Sequence, residues 1–240
     1  MSADTVPQIK NWWADGDSLV HADSKVTYLV DAYSSLLTMC RSFLMAQQYI
    51  YIAAWGMTPQ MRMVRGSDQR AGPDGSPEQE ALLAELRREG LQQEAIDFWC
   101  SHDLTVQAVL GFMARKGIDV KVLLWSSSKH FSHSNPKAAQ QQLTEVGVTC
   151  LLDDSARGVR HHPIESLHQK LAVVDGAQAF VGGIDMLIEL NGDYDRWDTH
   201  YHHYFTPLRS NAEDRSPHNW HDAHALIEGP AVGDVERNFR

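Results

Sequence analysis

Hydrophobic residues recur at helical spacing from Asp31 to Gln47, at Leu36, Leu37, Cys40, Phe43 and Leu44. The run passes directly into Tyr49-Ile-Tyr-Ile-Ala-Ala-Trp55, which is β-branched and aromatic and is closed by Gly56. This pattern predicts a helix feeding a buried strand, and the same order returns twice. Leu104 to Lys116 has a helical period and stops at Gly117, ahead of the apolar strand pattern Asp119 to Trp125. Pro136 opens a third helix that runs to Val146 and ends at Gly147, before a strand over Val148 to Leu152. Further strands are predicted at Leu167 to Val174, Ala179 to Val181 and Ala223 to Ile227. Alternation of this kind predicts an α/β fold with a mixed β-sheet flanked by helices.

One stretch breaks the alternation. Arg65 to Pro77 is rich in Gly, Pro, Ser and charge and reads as an exposed loop; Ser76-Pro77 then caps a helix ending at Gly90, with Glu78, Glu80 and Glu85 set against Arg87 and Arg88. We expect residues 60–100 to be a peripheral insertion in a domain spanning 26–240, with residues 1–25 as an N-terminal extension. No internal repeat is convincing.

Composition narrows what this domain can do. At 240 residues and 43% hydrophobic, the chain can bury a substantial core. Its 21 Lys+Arg against 31 Asp+Glu give a formal charge of -10, which argues against a nucleic-acid partner bound through a basic surface. Cys40, Cys100 and Cys150 are odd in number, widely spaced and without a CxxC pair, so reduced thiols and a cytoplasmic setting are expected. The N-terminus has no signal-peptide pattern, and no run of about 18 apolar residues occurs. A lipid substrate would therefore be met peripherally, from the membrane surface.

The chemistry concentrates at His168-Gln-Lys-Leu-Ala-Val-Val-Asp175. Strand side chains alternate, so His168 and Lys170 should face the same way, roughly 6.6 Å apart along the chain. An imidazole is a competent nucleophile at neutral pH, and a lysine is a compact cation suited to a phosphoryl oxygen. The residues alone also allow a plainer arrangement, with His168 and Lys170 on the solvated face of an edge strand and Asp175-Gly176 in a hairpin turn.

The neighbouring sequence favours the first arrangement. His168-x-Lys170-x4-Asp175, with Gly182-Gly183-Ile184-Asp185 after it, resembles the HKD motif of the phospholipase D superfamily. Arg196-Trp197-Asp198, and Trp220-His221-Asp222 leading to Gly229-Pro230-Ala231, resemble the stretches downstream of the first HKD motif in the phosphatidylcholine-cleaving branch. Asp185 and Gly183 stand where the related nucleases and cardiolipin synthases have Asn and Ser. The resemblance covers about residues 26–240 apart from the insertion, and implies one half of the two-fold phospholipase D fold.

It also implies a mechanism. His168 would attack phosphorus to give a phosphohistidine, Lys170 would neutralise a non-bridging oxygen, and a histidine from a second HKD motif would protonate the leaving alcohol. Asp222 would orient and stabilise the His168 imidazole. Asp175 has the other strand parity and is better suited to fixing a turn or a neighbouring charge than to acid–base work. Gly182 and Gly183 permit close backbone approach beside the phosphate, and Asp185 and Trp197 complete the expected substrate-binding set. The aromatics Trp12, Trp13, Trp55, Trp125, Trp197 and Trp220 could include a headgroup cage for choline, and most of them are more simply core or strand-end residues.

No cofactor is implied. Eleven of the thirteen histidines lie from His130 onward, which invites a zinc site, but His202 and His203 are adjacent and cannot share one strand face. His221 or His224 is expected to line the pocket or the surface rather than bind metal. The expected partners are a glycerophospholipid at a membrane surface and a second HKD half, since no second HxKx4D occurs. That half would come from a longer chain, of which this sequence would be the N-terminal part ending at Asn238-Phe-Arg240, or from a homodimer. The alternatives are a homodimeric nuclease-like phosphodiesterase and a non-catalytic phospholipid-binding module.

Overall fold

Apolar alternation along the strands is used on both faces of a single sheet. A computed structural model describes residues 21–64, 77–126, 135–153, 166–187 and 222–240. In chain order these form β1 (Lys25–Val30), α1 (Asp31–Met45), β2 (Tyr49–Ala54), α2 (Pro77–Glu89), α3 (Gln93–Ser101), α4 (Val106–Arg115) and β3 (Asp119–Trp125). Then come α5 (Pro136–Glu145), β4 (Thr149–Asp153), β5 (Lys170–Val174), β6 (Gln178–Gly182), β7 (Ala223–Glu228) and α6 (Val232–Phe239). The sheet has seven strands in the order β1-β7-β6-β5-β2-β3-β4. The β2–β3 and β3–β4 pairings are parallel, and the other four are antiparallel. This is the mixed α/β architecture that the helix–strand alternation predicts.

Local chemistry sets the helix ends. The Thr105 hydroxyl accepts from the Ala108 N–H at 3.1 Å at the start of α4, and the Asn135 side chain accepts from Ala138 N–H at 3.2 Å ahead of Pro136 in α5. Gly117 and Gly147 then take φ of 87° and 93°, a left-handed turn that releases the chain into β3 and β4.

One sheet face carries Ile50, Ile52, Val122, Leu124, Ala172 and Phe180, packed under α1 and α4. The other carries Ala53, Leu171, Val173 and Ala179 and is covered by Val232, Val235 and Phe239 of α6. Among the described residues that cover is partial, since Val26 and Tyr28 of the edge strand β1 remain 63% and 71% exposed.

Three differences from the sequence expectation have physical reasons. The described part of the 60–100 segment, expected as peripheral, contributes Met61, Leu86 and Trp99 to the main core at 0% exposure. Its Glu- and Arg-rich outer face hides an apolar stripe, Leu82 and Leu86 on α2 and Ala95, Ile96 and Trp99 on α3. The strand β1 is absent from the sequence expectation, because Lys25–Val30 buries only Leu29 and its pairing with β7 spans almost the whole sequence. Finally, β5 begins at Lys170 rather than Leu167, so His168 lies just before the strand.

Candidate active site

The sheet register brings Lys170 and His224 together although 54 positions of sequence separate them. Ala54 pairs with Lys170, and Gly182 pairs with His224. The β5–β6 register, with Leu171 opposite Val181, sets Lys170 opposite Gly182. One row across the sheet therefore reads Ala54, Lys170, Gly182, His224. Neighbouring strands are about 4.8 Å apart, and between the lysine and the histidine the row carries a glycine with no side chain of its own.

Lys170 lies on the core-facing side and is 8% exposed, which makes its charge a burial problem. Asp185 solves it: Lys170 Nζ is 3.0 Å from Asp185 Oδ2, with the two side chains 5% and 0% exposed. A buried ion pair of this kind is tolerated because each charge neutralises the other where water cannot. Asp185, expected to contact substrate, is thus placed as the counter-charge of the lysine. Lys170 Nζ also lies 5.6 Å from the centre of the Trp55 ring, a cation–π contact.

His168 sits two positions upstream at the exposed end of the same segment. The Trp55 N–H donates to the Gln169 carbonyl at 3.1 Å, which extends the β2–β5 ladder beyond the strand and holds this segment in place. The His168 ring packs edge-on against Trp55 with centroids 5.6 Å apart and an interplanar angle of 68°, and Trp55 in turn stacks on Trp125 at 6.0 Å. The imidazole is therefore orientated by an aromatic support while remaining open to solvent.

Asp222 precedes β7 as His168 precedes β5, two positions before the buried residue of its strand. Asp31, fully buried, ties it down. The Asp31 N–H donates to the Asp222 carbonyl at 2.8 Å, and the Asp222 N–H donates to Asp31 Oδ1 at 3.0 Å. The Asp222 carboxylate accepts from the Ala223 N–H at 2.7 Å and lies against Gly183, where a Cβ would come within 2.1 Å of Oδ1. A Cβ on Gly182 would meet His224 Nδ1 at 2.7 Å. The two glycines thus make room for Asp222 and His224 rather than form a turn.

His224 is 2% exposed, and burial depresses its pKa to about 4. The Asp222 carboxylate opposes that shift, while the Lys170 ammonium reinforces it. The imidazole is therefore neutral at physiological pH. Lys170, Asp185 and His224 line one small cavity with Met39, Ala54 and Met186.

Asp175 lies elsewhere. It follows β5 at the far side of the sheet, seven positions beyond His168 and roughly 23 Å away at about 3.3 Å per residue. Its carboxylate accepts backbone N–H groups from Gln47 at 2.7 Å and from Gln48 and Tyr49 at 2.8 Å each, fastening the α1–β2 turn to the β5–β6 hairpin. This is a structural role at the opposite end from the chemistry. Trp197 and its neighbours Arg196 and Asp198, with Trp220, His200, His202, His203, His218 and His221, lie outside the described residues. Among the described residues, no group of three or more His, Cys, Asp or Glu side chains is placed to hold a metal, and no helix is long and apolar enough to cross a membrane.

Asp31 and Trp55 are parts of the site that sequence reasoning does not single out. Asp31 carries a usable signal, an acidic residue directly between an apolar strand and an apolar helix, and its φ of 62° marks a forced chain reversal there. Trp55 carries none beyond being aromatic at a strand end.

Comparison with known proteins agrees with the motif. The chain is 29% identical over 238 residues to phospholipase D alpha 1 of Oryza sativa subsp. japonica, covering 81% of this chain and 25% of that protein. It is 28% identical over 224 residues to phospholipase D gamma 3 of Arabidopsis thaliana, covering 81% and 23%. Among solved structures it is similar to Nuc from Salmonella typhimurium, a phospholipase D family member, with a TM-score of 0.47 and 11% identity over 90% of this chain and 92% of that one. No protein-family model matches the chain. It spans about a quarter of the length of the curated relatives it matches. The chain is thus related by sequence to the phospholipases D, over four-fifths of its own length.

Proposed function

We propose that this chain is one catalytic half of a phospholipase D-like phosphodiesterase that cleaves, or transfers, the headgroup phosphodiester of a glycerophospholipid. The observation that carries this reading is the division of labour at one end of β5. There an exposed, aromatically supported His168 stands two residues from a buried Lys170 whose charge is set by Asp185.

In this reading an imidazole nitrogen of His168 attacks phosphorus, and the bond from phosphorus to the headgroup oxygen breaks. A histidine of the second half gives its proton to the departing alcohol. Water or another alcohol then attacks the phosphohistidine, and His168 is released. Lys170 stabilises the charge that builds on a non-bridging oxygen; such stabilisation is strong in a site this poor in water. Asp222, anchored through Asp31 beside the glycine pair, stabilises the His168 cation.

The second half is supported by the mechanism, which needs two histidines, and by the relatives, of which this chain matches only a quarter. The lipid substrate is supported by the names of those relatives. Cys40, Cys100 and Cys150 form no disulfide among the described residues, in keeping with a reducing compartment, and the chain would work at a membrane surface from the cytoplasm.

The test is phosphatidylcholine cleavage with ethanol as alternative acceptor, by the chain alone and by a form extended past Arg240. The extended form should yield phosphatidylethanol, and His168→Ala should abolish it. An extended form that makes none, or His168→Ala retaining full activity, overturns the reading; cleavage of oligonucleotides instead would point to a nuclease.

A further inference from the structure

We infer that His224 is a positioning residue for Lys170, its neutral ring nitrogen accepting one ammonium N–H so that the lysine stays aimed at the phosphate position. The inference rests on the reading of Lys170 as the group that holds phosphate.

Three independent observations support it. His224 occupies the same cross-sheet row as Lys170, separated from it only by Gly182, and its ring takes the place of the missing side chain, with Nδ1 2.7 Å from where a Cβ would stand. The imidazole is 2% exposed, and among the described residues neither of its nitrogens has a hydrogen-bond partner, although a buried polar group ordinarily has one. The two side chains also line the same cavity.

The donor count fits. A lysine ammonium has three N–H groups and no acceptor. Its charge is paired with Asp185 at 3.0 Å, yet among the described residues Lys170 Nζ, like the two ring nitrogens, has no hydrogen-bond partner, so its N–H groups are available to a neutral imidazole and to a phosphoryl oxygen. The ring must be neutral for this, because a protonated histidine offers donors only. The charged groups around it are Asp222 beside it on the same segment, Lys170 from β5, Asp185 beyond β6 and Asp31 at the start of α1; its partner on β1 is the apolar Leu29. Burial and the lysine both favour the neutral form.

The experiment titrates inorganic phosphate into the chain at pH 7.5, followed by 31P NMR, for the wild type and for His224→Gln, His224→Leu and Lys170→Met. His224→Gln keeps an acceptor and should bind phosphate nearly as the wild type does. His224→Leu keeps the volume without the acceptor and should bind about tenfold more weakly, the scale of one hydrogen bond to a charged group. Lys170→Met should bind weakest. If Lys170→Met binds phosphate as the wild type does, the reading of Lys170 fails. If Lys170→Met loses binding while His224→Leu keeps it, only the inference about His224 fails. A second measurement does not need folded His224 variants: the 15N shifts of the His224 ring, titrated in the wild type and in Lys170→Met. Loss of the lysine charge should raise the imidazole pKa and remove the hydrogen-bonded signature of its unprotonated nitrogen; an unchanged ring overturns the inference.

Discussion

Lys170 Nζ lies 3.0 Å from Asp185 Oδ2, and both side chains are almost wholly withdrawn from water. The pair joins β5 to the segment just beyond β6 at the edge of the main core, beneath α1. Its energetics are asymmetric. Removing one partner strands a buried charge, whereas replacing both with apolar groups need not cost stability. Asp185→Leu and Lys170→Met should each lower the unfolding free energy, by about 3 kcal/mol when a charge is left behind. Lys170→Met combined with Asp185→Leu should recover most of that loss. Urea denaturation of the four proteins as a double-mutant cycle checks this, and additive losses would show that the two charges are not coupled.

The glycine pair makes a second expectation. Gly183→Ala forces a Cβ to within 2.1 Å of Asp222 Oδ1, and the Asp222 backbone cannot yield freely because Asp31 holds it. The substitution should displace the carboxylate and destabilise the protein by about 2 kcal/mol, in the range for overpacking. Gly233→Ala, on α6 with nothing within 4 Å of the new methyl group, should be neutral or stabilise by about 0.5 kcal/mol through helix propensity. Thermal unfolding of the two variants side by side tests the contrast.

His224 predicts a pH dependence with a definite sign. Its pKa is about 4 in the fold against 6.5 ordinarily, so between those values the unfolded chain binds the extra proton. Stability contributed by the neutral ring is fully present above pH 6.5 and falls as pH drops from there toward 4. The loss from this group amounts to about 3 kcal/mol across the window. In His224→Gln that portion of the pH dependence should vanish. Denaturant midpoints measured from pH 7.5 down to pH 4.5 would reveal it, and parallel curves for the two proteins would mean that His224 does not titrate as described.

Asp175 should matter for folding. Its carboxylate receives three backbone N–H groups from the α1–β2 turn, and its own φ of 53° is strained for alanine. Asp175→Ala should cost about 2–3 kcal/mol, from charge-assisted bonds lost together and from the left-handed backbone. Asp175→Asn, which keeps one acceptor oxygen and tolerates that backbone, should cost less. Urea midpoints again decide, and equal losses would assign the effect to something other than the N–H cage.

Periodicity and punctuation made much of the fold legible. The helix–strand units ending at Trp55, Trp125 and Leu152 are each local, set by apolar spacing and by a glycine or proline at a boundary, and they appear as β2, β3 and β4. What failed to show was non-local. Lys25–Val30 becomes a strand because β7, some 200 residues later, supplies its partner. The helices Pro77–Glu89 and Gln93–Ser101 join the core through a narrow apolar stripe beneath a charged surface. The spacing of His168 and Lys170 left a plain edge-strand arrangement open, and the resemblance of the surrounding sequence to the HKD motif is what singled them out. Their supports Trp55 and Asp31 were not legible, because register rather than sequence distance brings them there, while His224, expected to line the pocket or the surface, lines the cavity. Asp175, part of the same motif, proves to serve the opposite end of the sheet.

The central claim, that His168 is the nucleophile, is tested most directly by trapping the intermediate. The extended protein is mixed with a short-chain phosphatidylcholine, quenched within milliseconds and digested for mass spectrometry. A nucleophilic His168 predicts a phosphatidyl adduct on that residue, formed before the product alcohol exchange is complete and absent in His168→Ala. Turnover accompanied by an adduct on another residue, or unimpaired turnover in His168→Ala, would contradict it.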